Sequence, residues 1–172
     1  PNTNIHVINS LSAGGEVDLI VRKLNQLVAE GLDFDQVVDV ITTYQSKTKL
    51  LFVLAKVDNL VKNGRLSKLI GTVVGLLNIR MVGEASKTGT LELLQKARGQ
   101  KKAIKAAFDE LIKAGYAGGH ITIAHRNNEK FIEQFSALVR EKFAHAMIEV
   151  LPTSGLCSFY AEEGGLLMGY EI

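Results

Sequence analysis

The 172-residue chain is long enough to bury a hydrophobic core without disulfides or a metal ion. Apolar residues make up 47% of it and aromatic residues only 6%, so an aliphatic core is expected and a nucleic-acid binder that stacks bases is disfavoured. The net charge of +2 argues neither for nor against a polyanionic partner, the single cysteine favours a cytoplasmic protein, and no apolar run is long enough to span a bilayer.

The first part of the chain has the pattern of an α/β unit. Residues 5–9, IHVIN, predict a short buried strand, and apolar residues then recur every three or four positions from Val17 to Val28, which predicts an amphipathic helix. Asp33 is a good N-cap for a second helix, and the polar stretch 42–49 predicts a linker. Because the chain begins so close to a strand, we expect it to be a piece of a longer protein.

A second region begins at residues 49–55, KLLFVLA, which predict a strand because β-prone apolar residues dominate them. Residues 66–78 are apolar on nearly all sides, which predicts a helix that is buried on every face or faces a cavity. Residues 79–98 predict a β-hairpin with its turn at SKTG. The other predicted elements are helices at 57–65, 99–115 and 127–143, a helix-like segment at 157–164, and strands at 120–126, 146–152 and 164–172. This order predicts an α+β (α/β) fold in which helices flank a mixed or antiparallel sheet.

The sequence gives little support to a metal or nucleotide site. The four histidines and Cys157 are isolated, without the spacing and third ligand that zinc sites use. GEASKTGT, residues 83–90, departs from the phosphate-binding loop pattern and lies in a predicted hairpin. SAGGE, residues 12–16, has a better context before a helix, although such glycines mostly serve the turn. No metal and no cofactor are therefore expected.

A basic run, KARGQKKAIK, occupies residues 96–105 at the start of a predicted helix. An isolated run of this kind is usually a solvated face. The alternative is docking to an acidic partner, in which Arg98 could make bidentate contacts and Lys101 and Lys102 would add charge.

The closing segment, residues 154–172, collects hydroxyl, thiol and carboxylate groups. Cys157 is flanked by large apolar residues, which favours an inert buried thiol over a nucleophile. Ser154, Ser158 and Tyr160 are neutral donors that could hold a carboxylate or another anion. Binding is therefore favoured. A small-molecule hydrolase or transferase that uses the Ser/Cys/Glu groups stays open as an alternative, as does an interaction domain whose apolar face packs on a missing domain.

Three segments of the chain resemble the DegV family of bacterial fatty-acid-binding proteins. They are the short helix, Gly–Arg pair, buried helix and LLNI run within residues 54–80, the Arg–Gly–x–Lys–Lys pattern within 96–104, and HITIAHRNNEKFIEQF at 120–135. The resemblance implies a two-domain, non-enzymatic protein that binds a long-chain fatty acid and presents its carboxylate to a fatty acid kinase, feeding phospholipid synthesis. It also implies that residues 1–43 end the N-terminal α/β domain and that 44–172 form the C-terminal lipid-binding domain.

The resemblance also assigns residues to the site. The family's carboxylate-binding Thr and Ser lie upstream of this chain, while the C-terminal Gly–Thr–His–x–Gly–Pro–Gly motif of many members aligns with CSFYAEEGG, residues 157–165, where the proline is missing. Tyr160 then stands at the His position, where it can donate a hydrogen bond but cannot carry positive charge. Together with Ser158 and Ser154, it is the expected head-group site, and Arg98 falls at the family's kinase-contacting Arg.

An acyl chain needs a continuous aliphatic wall, because burial is worth about 0.8 kcal/mol per CH₂. The apolar helix predicted at 66–78 and the strand predicted at 49–55 are expected to supply this wall. The residues assigned to it are Phe52, Leu54, Ile70, Val73, Val74 and Leu77.

Overall fold

The computed structural model describes residues 4–66 and 78–172, which form a six-stranded sheet with helices on both faces. The helices within these ranges are α1 (Gly15–Ala29), α2 (Phe34–Gln45), α3 (Asp58–Lys62), α4 (Gln100–Lys113), α5 (Glu129–Lys142) and α6 (Gly155–Ala161). The strands are β1 (Thr48–Leu54), β2 (Ile79–Ala85), β3 (Leu91–Arg98), β4 (His120–His125), β5 (Met147–Pro152) and β6 (Leu166–Glu171). The strand order is β3-β2-β1-β6-β4-β5, with β4 and β5 parallel and the other neighbours antiparallel. The predicted fold class, a mixed sheet flanked by helices, is confirmed.

One face of the sheet is covered by α4 and α5 and forms the main hydrophobic core. β1 contributes Leu51 and Val53 to it, and α5 contributes Phe131 and Phe135, all of them buried. Full burial of such side chains is worth about 1.5–3 kcal/mol each. This packed face is therefore the main source of the fold's stability.

The opposite face receives the alternate residues of the same strands, because successive side chains of a strand point to opposite sides. Here Phe52 and Leu54 of β1 cluster with Leu60 of α3 and Ala161 of α6. Two short helices and α1 thus cover this face where two longer helices cover the other.

α1 approaches the second face very closely because glycines meet at the contact. A Cβ on Gly15 would lie 2.1 Å from the carbonyl oxygen of Thr122, and a Cβ on Gly169 would lie 2.2 Å from the backbone nitrogen of Glu16. Neither position can accept a side chain unless the helix moves away from the sheet. Ala13, just before α1, lines a cavity on this face together with residues of the sheet.

The strand predicted at residues 5–9 is wrong. Ile5 and Val7 are 79% and 81% exposed, and residues 5–9 form no strand. The alternating pattern of this segment suits a strand, but a strand also needs a neighbour for its backbone hydrogen bonds. None of the described strands pairs with these residues.

The linker predicted at 42–49 is also wrong, because α2 continues to Gln45 and β1 begins at Thr48. The hydroxyls of two threonines in the last turn of α2 donate hydrogen bonds to backbone carbonyls one turn earlier. These polar groups are therefore accommodated within the helix. Tyr44 then donates a 2.8 Å hydrogen bond to Glu171 of β6. The domain boundary after residue 43 stays a prediction.

The other predicted elements are found close to their expected positions, including the hairpin of β2 and β3 with its turn at Ser86–Gly89. The helix predicted at 66–78 lies almost entirely outside the described residues. Among the helices described, none has both the length and the apolar character required to cross a membrane.

Candidate functional site

A cavity lies on the second face of the sheet, between the strands and the two short helices α3 and α6. Its volume is about 210 Å³, slightly below the roughly 300–1,000 Å³ of most small-molecule pockets. The described walls therefore suit a slender ligand better than a bulky one. The lining residues are Ala13, Leu50, Phe52, Leu54, Leu60, Arg65, Gly89, Leu91, Leu156, Cys157, Tyr160, Ala161 and Leu167.

The floor of the cavity is made by the sheet. Leu50, Phe52 and Leu54 alternate along β1 and all face it. Gly83, the partner of Phe52 on β2, makes room for the aromatic ring, because a Cβ there would lie 2.4 Å from its Cζ atom. Phe52 and Leu54 thus line the cavity where the sequence places them.

One end of the cavity is polar and is formed by Arg65 and Tyr160. Arg65 Nη1 donates a hydrogen bond to the Tyr160 hydroxyl, and the guanidinium carbon lies 4.6 Å from the centroid of the Tyr160 ring. This arrangement combines a charge-assisted hydrogen bond with a cation–π contact. An arginine can bind an anion in addition, because its guanidinium carries five N–H donors. The cavity is therefore apolar along its length and cationic at one end.

The two serines predicted beside Tyr160 are placed differently. Ser154 is the exposed residue preceding α6, and its side chain makes no capping hydrogen bond. The Ser158 hydroxyl shares a 2.8 Å hydrogen bond with the Thr153 hydroxyl. Tyr160 is in the cavity lining and the serines are not, so their head-group role stays a prediction.

Cys157 is half-buried and lies in the cavity wall. The described lining includes no histidine and no carboxylate that could act as a base for this thiol. The two acids that follow in sequence point elsewhere: Glu162 accepts from the backbone N–H of Asn59, and Glu163 accepts from the side chain of Asn127. The wall thus resembles a binding surface more than a catalytic centre.

The basic run forms an exposed patch around the start of α4. Arg98 ends β3, and Lys101 and Lys102 lie in the first turn of the helix, all three exposed. Gly99 precedes the helix, and no acidic residue occupies its first turn. Arg80 of the adjacent strand lies beside the patch with Nη2 3.4 Å from Gln100, and burial lowers the pKa of its guanidinium. The patch is suited to contact with an acidic surface.

Arg65 was not expected in the site, because it is 95 residues from Tyr160 in the chain. The Gly64–Arg65 pair contributes to the family resemblance, but nothing in the local sequence assigns Arg65 to a binding site. Ala13 and Gly89 also reach the cavity unpredicted. The other predicted wall residues, Ile70, Val73, Val74 and Leu77, lie outside the described residues.

Comparison with known proteins identifies the family. A family model described as "Uncharacterised protein, DegV family" matches residues 1–170. A DegV domain-containing protein of Streptococcus gordonii is 77% identical over all 172 residues of this chain, which correspond to 61% of that protein. The chain therefore belongs to the DegV family, and the resemblance inferred from its three segments is confirmed. The chain spans about three fifths of the length of the curated relatives that it matches.

Two solved structures extend the comparison to ligands. One is the Streptococcus pneumoniae Fatty Acid Kinase (Fak) B3 protein loaded with linoleic acid, with 76% identity, a TM-score of 0.97, and coverage of 99% of this chain and 60% of that one. The other is a DegV family protein from Eubacterium eligens loaded with heptadecanoic acid, with 35% identity, a TM-score of 0.94, and coverage of 98% and 61%. Both relatives share the fold described above over about three fifths of their length, and both are loaded with a long-chain fatty acid.

Proposed function

We propose that this chain is part of a protein that binds a long-chain fatty acid in the cavity on the second face of the sheet. The observation that carries the proposal is the form of this cavity, which is apolar along β1 and cationic at the Arg65–Tyr160 end. The fatty acids bound by the two solved relatives support it.

The acyl chain would lie along Leu54, Phe52 and Leu50, toward the hairpin turn at Gly89. Each methylene group moved from water to this surface contributes about 0.8 kcal/mol, so the tail would supply most of the binding free energy. No hydrogen-bonding group is needed along this path, which agrees with the aliphatic lining.

The carboxylate would lie at the Arg65–Tyr160 end. Tyr160 can donate only a neutral hydrogen bond, and Arg65, in contact with it, would supply the positive charge that a tyrosine lacks. We propose Ser154 and Ser158 as further donors, which would have to turn toward the carboxylate from their present positions.

We further propose that the protein presents this carboxylate to a fatty acid kinase, whose acyl phosphate product would feed phospholipid synthesis. The exposed patch of Arg98, Lys101 and Lys102 would dock the kinase through an acidic surface. In this role the protein supplies binding and presentation, and the kinase supplies the phosphoryl-transfer chemistry.

Native mass spectrometry of the full-length protein, purified from a bacterial host, tests the binding. We expect a co-purified acyl ligand and tight oleate binding by titration. Arg65→Ala removes a charge-assisted contact and should weaken binding by about 1.5–3 kcal/mol, whereas Arg140→Ala, on the opposite face of the sheet, should leave it unchanged. The proposal is refuted if the purified protein carries no acyl ligand and also binds no oleate.

Labelling of Cys157 by an electrophilic activity probe, with turnover of an ester, would instead favour the hydrolase alternative.

Kinase docking is tested separately with the Lys101→Glu, Lys102→Glu double variant. We expect unchanged oleate affinity, a large loss of kinase-dependent acyl phosphate formation, and a salt-sensitive association of the unmodified protein with the kinase. Equal kinase turnover in both proteins would show that the patch is only a solvated face.

A further inference from the structure

Glu162 has a backbone conformation that a residue with a side chain rarely adopts. It follows the last residue of α6 directly, with φ 53° and ψ −173°, a combination found almost only at glycine. Such a conformation persists only where the surroundings hold it in place. The question is therefore what the glutamate side chain does there that a glycine could not do.

The side chain ties α6 to α3. Glu162 Oε1 accepts a 2.8 Å hydrogen bond from the backbone N–H of Asn59, in the first turn of α3. Asn59 returns the contact, because its Nδ2 donates a 2.8 Å hydrogen bond to the carbonyl oxygen of Phe159 in α6. We call this pair of hydrogen bonds, formed by Asn59, Phe159 and Glu162, the α3–α6 clasp.

The clasp encloses the part of the molecule that forms the cationic end of the cavity. Tyr160 lies between Phe159 and Glu162 in the chain, and Leu60, a cavity-lining residue, follows Asn59. Any separation of α3 from α6 would therefore open the wall and move the Tyr160 hydroxyl at the same time.

The first contact is strengthened by charge, because a carboxylate accepts from an N–H at the start of a helix. The adjacent Glu163 contacts other groups: its partners among the described residues are Asn127 and, at 3.7 Å, the guanidinium of Arg126. The two neighbouring acids thus act on different parts of the molecule, and Glu163 is a natural control.

We infer that Glu162 is a positioning residue, which holds Tyr160 and the wall between α3 and α6 in place through Asn59 and thereby slows the release of the ligand. This inference rests on the proposed function, since the ligand is taken to be a fatty acid. The unfavourable backbone conformation is retained because it aims the carboxylate at α3.

The Glu162→Gly variant separates an effect on the stability of the fold from an effect on ligand release. Glycine adopts the observed φ without strain, so the Glu162→Gly protein should be as resistant to thermal unfolding as the unmodified one. It also removes the charge-assisted hydrogen bond of the clasp and leaves only the one from Asn59 to Phe159, so ligand release should be faster. If Glu162 served only the stability of the fold, its replacement by glycine would lower the thermal resistance and the ligand retention of the protein together. Glu162→Gln keeps an acceptor oxygen for Asn59 and should restore much of the retention.

The experiment uses the full-length protein. Dissociation of a fluorescent fatty acid is followed by stopped flow, with excess oleate as competitor, for Glu162→Gly, Glu162→Gln and Glu163→Gly. We expect dissociation of Glu162→Gly to be faster by roughly tenfold, the effect of losing one charge-assisted hydrogen bond, with the other two proteins close to the unmodified rate. Hydrogen exchange of the amides in residues 155–161, measured without ligand, should be faster in Glu162→Gly alone.

Equal dissociation rates for Glu162→Gly and Glu163→Gly would overturn the inference, as would a loss of thermal resistance in proportion to the loss of retention. A full-length protein that binds no fatty acid would refute the proposed function. In that case, the hydrogen-exchange rates of the α6 amides would still show whether Glu162 holds this helix in place.

Discussion

The two faces of the sheet are built from the same strands, yet one is filled with side chains and the other holds a cavity. β1 sends Leu51 and Val53 into the core under α4 and α5, and Phe52 and Leu54 into the cavity wall. Among the residues that the structure describes, and apart from the 15-residue α1 on the cavity face, the difference lies in the covering helices. Two 14-residue helices cover the packed face, whereas the five-residue α3 and the seven-residue α6 close the cavity. Short helices bury less apolar surface, so the described wall of the cavity is held by fewer apolar contacts than the packed face.

The largest expected effect is on stability, and it should differ between a substitution in the packed face and one in the cavity face. Phe135→Ala, in the packed face, should lower the free energy of unfolding by about 3–5 kcal/mol, because it leaves a void that its neighbours cannot fill. Phe159→Ala, on the 44% exposed Phe159 of α6, should cost about 1 kcal/mol or less. Urea denaturation measures both. Similar losses at the two sites would show that the faces contribute equally to stability.

On the cavity face, the position most sensitive to substitution should be the close contact between α1 and the sheet. Gly169→Ala brings a Cβ to 2.2 Å from the Glu16 nitrogen, which forces α1 off the sheet at a cost of about 3 kcal/mol. Gly31→Ala is the control: it has open space and a φ of +79°, so it should carry only the backbone cost of about 1–2 kcal/mol. Thermal unfolding distinguishes them. Equal destabilisation would mean that close packing of α1 is unimportant.

Filling the cavity should change ligand preference without weakening the fold. Ala13→Leu places a larger side chain near the hairpin turn, where the tail of a long fatty acid would end. We expect it to weaken binding of an 18-carbon acid by about 2 kcal/mol, the value of two to three methylene groups, and to spare a 12-carbon acid. Titration of both acids into this variant and into the exposed Ala117→Leu control measures the effect. Equal losses for the two chain lengths would place the tail elsewhere.

Alkaline pH should loosen the packed face by a smaller amount. Burial, reinforced by the charge of Glu171, raises the pKa of Tyr116 to about 12 from its ordinary value of 10. The folded state therefore keeps this proton longer than the unfolded state. The stabilisation is complete below about pH 10 and is lost as the pH rises through about 12. Urea unfolding between pH 9 and pH 12 should show a shallower decline for Tyr116→Phe, and identical profiles would contradict the assignment.

The sequence alone was sufficient for most of the local structure and for the family. The hairpin of β2 and β3, the helices α4 and α5, and strands β1, β4, β5 and β6 follow from the periodicity of apolar residues and from turn residues, which act over a few positions. The three segments at 54–80, 96–104 and 120–135 were enough to identify the family, which the match over residues 1–170 confirms.

The errors arose where local pattern and tertiary context disagree. Residues 5–9 alternate as a strand does but have no partner strand among the described residues. The polar residues at the end of α2 suggest a linker, but their hydroxyls bond within the helix and Tyr44 reaches Glu171 of β6. In both cases the deciding contact, or its absence, is distant in sequence.

The site depends on tertiary structure even more strongly. Phe52, Leu54 and Tyr160 could be placed at the cavity from the sequence, because a β-prone run or an aligned motif carries each of them. Arg65 also lies in a recognisable segment, but it meets Tyr160 across 95 residues, and Glu162 meets Asn59 across 103. A strand or a helix is specified by its own periodicity. A cavity is specified by what the ends of different elements bring together, and for this chain only the folded sheet with α3 and α6 upon it determines that.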